Sequence, residues 1–251
     1  YKRQVTILNN ADIDGTLTLG SISDVEATIN SLGGSTSFGS SSYGVSNDTI
    51  GIGPNALTNR GTNGLYNTAI GTDALQNLTS GDNNIAIGYH ALKAQYNPTN
   101  NIAIGNYAMS GTGAGASGGQ DNIAIGWYAL QVCSYQCERN VALGYYSMKD
   151  NHSGDYNVAV GYHTLRSSTN SYHNTAVGAY ALHYNTSGGT NVALGYGSLQ
   201  ANTTGNGNLG LGTSALYRNT TGSYNVAAGG LGANTTGNYN VSVGNLSLIH
   251  I

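Results

Sequence analysis

The sequence predicts an all-β fold: a parallel β-roll or β-solenoid of about twelve coils, each near 17 residues long. Three observations carry this. A five-residue block, Asn-x-Ala-aliphatic-Gly, recurs along most of the chain, from Asn67-Thr68-Ala69-Ile70-Gly71 to Asn225-Val226-Ala227-Ala228-Gly229, with degenerate copies ending at Gly53 and Gly244. The spacing of its closing glycine is 17 residues in most cycles, 21 in one and 15 in the last, too short for a helix-pair repeat. The 251 residues include 38 Gly and 32 Asn, and only 8% of them are charged, a composition of short strands and tight corners rather than long helices.

Each element of the cycle has a local reason. Triplets such as Ile85-Ala86-Ile87 and Val192-Ala193-Leu194 alternate in size with the period of a strand. Alternation puts the two aliphatics on one face and the alanine on the other. The large face is expected to build the coil interior and the small face to let another layer approach. The blocks open at Asn67, Asn84, Asn101, Asn122, Asn140, Asn157, Asn174, Asn191, Asn208 and Asn225. They close at Gly71, Gly88, Gly105, Gly126, Gly144, Gly161, Gly178, Gly195, Gly212 and Gly229. A column of asparagines at that register is suited to amide ladders between rungs. The second half-cycle reads Gly-x-x-Ala/Ser-Leu, as in Gly71-Thr72-Asp73-Ala74-Leu75 and Gly178-Ala179-Tyr180-Ala181-Leu182. It is followed by polar corners such as Asn185 to Gly188, Asn202 to Gly205 and Asn219 to Gly222. A single coil of this kind buries few aliphatic side chains relative to the backbone it must order, which predicts burial against partner chains in a homo-oligomer.

Blocks such as Asn101-Ile102-Ala103-Ile104-Gly105 and Asn191-Val192-Ala193-Leu194-Gly195 resemble the head repeats of YadA-like trimeric autotransporter adhesins, in the form found in bacteriophage tail fibres. The resemblance spans about residues 49 to 244. It implies a left-handed roll, three chains side by side, an extracellular location, and attachment to a host cell-surface glycan or protein. The longer cycle with its Asn-Thr-Thr-Gly corner favours the phage-fibre form, that is, a virion tail fibre; the alternative is the head of a bacterial adhesin.

Outside the repeat, Asp12 to Gly20 is similar to short β-segments of phage fibre shafts. Ser23-Asp24-Val25-Glu26 forms a capping box, and Ile22, Val25, Ile29 and Leu32 follow at coiled-coil spacing. The chain thus divides into a shaft-like β segment and short helix (1–32), a Gly/Ser linker (33–48) and the β-roll (49–245). The final Leu246-Ser247-Leu248-Ile249-His250-Ile251 resembles an in-frame translation of a sequencing-library adapter, so 246–251 is read as an artefact and the chain as a piece of a longer one.

Several chemistries are excluded or weak. A formal charge of −3 does not suit nucleic-acid binding, and no apolar run is long enough to insert in a membrane. Gly111-Thr112-Gly113-Ala114-Gly115 lacks the Lys-Ser/Thr of a phosphate loop. Glu138 and Asp155 share one column on adjacent rungs, the only carboxylate pair placed for acid–base work; two solvated corner residues beside Arg139 is the preferred reading. Neither an enzyme nor a cofactor is expected, and no metal site: Cys133 and Cys137 lack two further ligands, and His90 and His163, at the same repeat position, lie too far apart along the stack and read as surface residues. The cysteine pair reads as a local disulfide, with free thiols the alternative. The best ligand-binding candidate is the aromatic column just after the block glycine, Tyr89, Trp127, Tyr145, Tyr162 and Tyr196, with a second column at Tyr107, Tyr128, Tyr146 and Tyr180. If strand alternation persists, one of the two faces outward, where flat rings suit glycan stacking; tyrosines packing across rungs are the plainer alternative. Ice binding would need a regular outward threonine array, and Thr203-Thr204, Thr220-Thr221 and Thr235-Thr236 lie in corners.

Overall fold

A computed structural model describes residues 49–59, 64–111, 119–133, 137–229 and 234–244. All belong to the compact unit Ser35–Ile251. The shaft-like segment, short helix and linker expected over residues 1–48, and the adapter-like residues 246–251, lie outside the described residues.

The described chain is a β-solenoid. Its twelve strands are β1 (Ile50–Ile52), β2 (Thr68–Ile70), β3 (Ile85–Ile87), β4 (Ile102–Ile104), β5 (Ile123–Ile125), β6 (Val141–Leu143), β7 (Val158–Val160), β8 (Thr175–Val177), β9 (Val192–Leu194), β10 (Leu209–Leu211), β11 (Val226–Ala228) and β12 (Val241–Val243). They form one parallel sheet in strict sequence order. The register pairs each block with the next, Ala86 with Ala103 and Ala103 with Ala124, so the strands on either side of the 21-residue cycle stay aligned.

The expected assignment of faces is reversed. The central alanines Ala69, Ala86, Ala103, Ala124, Ala142, Ala159, Ala176, Ala193 and Ala227 are fully buried inside the coil, whereas the flanking aliphatics point outward. The interior is too thin for two large layers. Leu75, Leu92, Met109, Leu130, Met148, Leu165, Leu182, Leu199 and Leu216 fill it from the opposite wall, together with the block asparagines, and what remains opposite them fits a methyl group. At β10 the alanine is Gly210, whose missing Cβ would lie 2.5 Å from Ser198 Oγ; that hydroxyl donates to the Gly210 carbonyl instead (2.9 Å).

The block asparagines are the interior's hydrogen-bonded spine. From Asn67 to Asn225 each is buried. Asn140 is typical: its Nδ2 donates to Asn122 Oδ1 (3.2 Å) and to the Gly154 carbonyl (2.8 Å), and its Oδ1 accepts from the backbone N–H (3.0 Å) and Nδ2 (3.2 Å) of Asn157. The same pattern runs unbroken through Asn67, Asn84, Asn101 and Asn122, and on from Asn157 through Asn174, Asn191, Asn208 and Asn225 to Asn240. A second ladder appears seven residues after the block glycine, where Asn185, Asn202 and Asn219 bond in series and continue to Asn234 in the shortened last cycle. Further up this column stand Leu78, Gln95, Cys133, Asn151 and Ser168, all buried. Gln95 Nε2 donates to the Cys133 carbonyl two coils away (2.9 Å), bridging the corner that the longest cycle enlarges.

Each block glycine has φ between 99° and 138°, closed to other residues. At Gly105 a Cβ would stand 2.5 Å from the Gly126 carbonyl oxygen, the next rung's equivalent. Gly178 keeps the same constraint: its φ is 124°, and an added Cβ would lie 2.7 Å from the Gly195 carbonyl. The Gly178 carbonyl in turn accepts the Thr164 hydroxyl of the preceding coil (2.8 Å). After the glycine the backbone alternates in hand: the second residue has φ near +58° and the fourth near +50°, including Asp73 and Leu75, Tyr107 and Met109, Tyr146 and Met148. Side chains of this kind rarely enter the left-handed region. Inter-rung bonds hold them there, Leu75 N–H to the Ala91 carbonyl (3.0 Å) and Tyr107 N–H to the Tyr89 carbonyl (2.8 Å), with the buried leucine or methionine adding its apolar contribution.

Two substitutions test this account. Asn140→Ala leaves the buried Asn157 backbone N–H without its acceptor and removes one of two hydrogen bonds at Asn122 Oδ1, at Asn157 Nδ2 and at the Gly154 carbonyl, and is expected to destabilise by about 2–3 kcal/mol, read from the urea midpoint. Gly105→Ala meets both positive φ and the carbonyl wall, whereas at Gly212 the nearest atom to an added Cβ is 3.7 Å away. Gly105→Ala should therefore lower the same midpoint clearly more than Gly212→Ala, whose cost is about 1–2 kcal/mol of backbone strain.

Candidate interaction surface

The outer face of the sheet is a mostly aliphatic stripe two residues wide and twelve rungs long, interrupted by Thr68 and Thr175. Ile50, Ile85, Ile125, Val177 and Leu194 are 38–46% exposed, high for large apolar residues in regular strands. A contiguous apolar strip of this kind is a candidate association surface.

The aromatic columns flank the stripe on the far side of the block glycine. The expected alternation fails there, because alternating backbone hand is not strand geometry. Tyr89, Trp127, Tyr145, Tyr162 and Tyr196 are all exposed, and the second column, His90, Tyr107, Tyr128, Tyr146, His163 and Tyr180, is half-buried beside them rather than turned inward. The next two residues, such as Ala129 and Leu130, go inside together. The rings interlock. Tyr145 and Tyr162 are parallel (centroids 5.4 Å apart), Trp127 meets Tyr145 edge-on (5.8 Å), and Tyr107 stacks on Tyr128 (4.8 Å). Tyr89 reaches Tyr107, and Tyr196 reaches Tyr180, edge-on at 5.3 and 5.9 Å. Some π-faces are thus covered by a neighbouring ring, while the first-column rings stay 36–56% exposed.

Cations border this strip five residues after the block glycine. Lys149 Nζ and the Arg166 guanidinium carbon lie 5.2 and 5.6 Å from the Tyr146 ring centroid, and both pair loosely with Asp150, at 3.6 and 3.9 Å. Lys93 bonds Asp73 at 2.8 Å, and His90 Nε2 reaches the same carboxylate at 3.0 Å. The Lys93 hydrogen bond holds the Asp73 carboxyl below its usual range. His90 and His163 are half-buried rather than on the open surface, and His183 is buried, its Nδ1 2.9 Å from the His163 carbonyl. Burial lowers the pKa of all three imidazoles.

Glu138 and Asp155 occupy adjacent rungs, and the geometry gives them structural work. Asp155 Oδ1 accepts the Glu138 backbone N–H (2.8 Å), burial raises its pKa, and Glu138 pairs with Arg139 (2.7 Å). The position two before the block asparagine is an inter-rung acceptor in other coils too: Asp82 receives Leu65 N–H (2.7 Å), Asn206 receives Gly189 N–H (2.7 Å) and Asn238 receives Ser223 N–H (2.7 Å). Short acceptors recurring at that offset were the signal available in the sequence. One column of corner threonine hydroxyls is likewise engaged, Thr186 to the Thr203 carbonyl, Thr203 to that of Thr220 and Thr220 to that of Thr235 (2.9–3.0 Å), while the second threonines Thr204, Thr221 and Thr236 are exposed. Cys133 and Cys137 are disulfide-bonded and buried. No group of three or more metal-ligating side chains occurs among the described residues.

Comparison with protein-family models, with curated proteins and with solved structures finds no match.

The lowered histidine pKa values give stability a pH dependence. The unfolded chain, with imidazoles near 6.5, binds more protons than the folded one, so stability rises with pH in this window. The contribution is complete above about 6.5 and is lost as pH falls through the folded values. Thermal unfolding of the wild type should shift downward between pH 7 and 5, and His183→Gln should flatten that part of the profile.

Proposed function

We propose that the chain is a structural, non-enzymatic segment of an extracellular trimeric attachment fibre of the phage-tail type, which carries host-binding parts to a cell-surface glycan or protein. The outward aliphatic stripe supports the reading most directly. A solenoid whose sheet exposes isoleucine, valine and leucine on rung after rung gains stability from covering that face with other chains. The resemblance of the repeat block to trimeric adhesin heads supplies the count of three. The remaining chemistry agrees: the carboxylates, threonines and asparagines of the corners serve the inter-rung ladders, and the polar groups form a rigid rod.

The interface is therefore assigned to the aliphatic face, in place of the alanine face that strand alternation alone suggested. Light scattering after size exclusion should return three times the 25.8 kDa chain mass. Ile125→Asp with Leu194→Asp, both outward, should abolish the trimer while leaving the β-signature of the coil in circular dichroism. A monodisperse folded wild-type monomer overturns the proposal.

A further inference from the structure

Two positions on either side of the aliphatic stripe, the second lying beyond the aromatic columns, carry opposite charges, and they do so coil by coil. On the entry edge, two residues before the block asparagine, the described acids are Asp82, Glu138 and Asp155; on the exit edge, five after the block glycine, the described bases are Lys93, Lys149 and Arg166. These fall in the same three coils, those closed by Gly88, Gly144 and Gly161. Coils without an acid at entry carry no Lys or Arg at exit: there Leu65 goes with Gln76, Thr99 with Ser110, Gln120 with Gln131, Tyr172 with His183, Gly189 with Gln200 and Asn206 with Tyr217.

Contacts within the chain do not account for this matching. Lys93 pairs with Asp73, Lys149 and Arg166 lean on Tyr146 with Asp150 as their loose counter-ion, and Glu138 pairs with Arg139. Among the described ion pairs none joins an entry acid to the exit base of its own coil. Asp155 and Asp82 each use Oδ1 as an inter-rung acceptor, leaving a second carboxylate oxygen to each.

We infer that the entry edge of one copy docks on the exit edge of the next, with each coil level with its own counterpart, so that Asp82–Lys93, Glu138–Lys149 and Asp155–Arg166 pair between chains. The inference rests on the trimeric reading and adds its edges and axial register. A closed ring of three uses a heterologous interface, in which two different surface strips of each copy meet. A rotation axis along the stack keeps equivalent coils at one height, so an acid meets the base of the same coil number. The apolar stripe and the aromatic columns beside it lie between the two charged positions and become the covered centre, with the charges at its rim, where they set register and partner choice more than affinity.

Carbodiimide cross-linking of the wild-type protein tests it, because it joins carboxylates to amines in direct contact. Peptides linking Asp82 to Lys93 and Glu138 to Lys149 should appear in the dimer and trimer bands of a denaturing gel and be missing from the monomer band; an Asp73–Lys93 link is the intrachain control. Lys149→Glu with Arg166→Glu should raise the concentration at which the trimer dissociates by about tenfold or more, and adding Glu138→Lys with Asp155→Lys should restore most of it. A wild-type trimer that gives neither cross-link, or links Lys149 only to acids of other coils, overturns this register and leaves the trimer standing. A wild-type monomer overturns the function proposed above and this pairing with it. Should the charge variants fail to fold, the wild-type cross-links decide alone.

Discussion

Every rung of this protein must hydrogen-bond to the rung on each side around its whole perimeter, and most local features follow from that requirement. Within the three-residue strands the ladder is ordinary parallel pairing. At the block glycine the two backbones approach so closely that a Cβ would meet the next carbonyl. Beyond it, alternating backbone hand turns peptide groups up and down the stack in an orderly way, and leucines and methionines tolerate the left-handed region because inter-rung bonds hold both sides. The asparagine spine is the side-chain version of the same ladder.

The thinness of the coil decides where size is allowed. One large apolar residue and one amide per rung fill the cross-section, so the facing strand position is alanine, serine or glycine. Large aliphatic residues then have only the outside available. A fold that cannot bury its β-branched residues within one chain leaves them on its surface, and so packing inside the coil decides where the exposed apolar face lies.

Charge is scarce and its placement informative. With 8 Lys and Arg against 11 Asp and Glu in 251 residues, few positions carry electrostatic weight, and several sit at the borders of the apolar face. The aromatic strip along one border is self-packed, stiffening the wall that carries Lys149 and Arg166. The buried disulfide and Gln95 lie in the coils on either side of the longest cycle, across which the block asparagine ladder continues from Asn101 through Asn122 to Asn140.

The all-β class, the parallel order of rungs, the cycle length and the asparagine and glycine columns were legible in the sequence, because each is a matter of period, and stacking at a fixed period aligns like with like. The cysteine spacing allowed a local bridge for a similarly short-range reason. Tertiary structure alone decided which strand face is inside: alternation fixes only that the faces differ, and the choice depends on how much volume Leu130 or Leu182 claims from the opposite wall. It also decided that Trp127 and Tyr128 share one side, since nothing in Tyr or Leu announces a left-handed backbone that inter-rung bonds impose. The role of Asp155 became visible once the next rung's Glu138 N–H stood beside it. Sequence carried what repeats along the chain; structure carried what depends on the shared, limited space between one rung wall and the other.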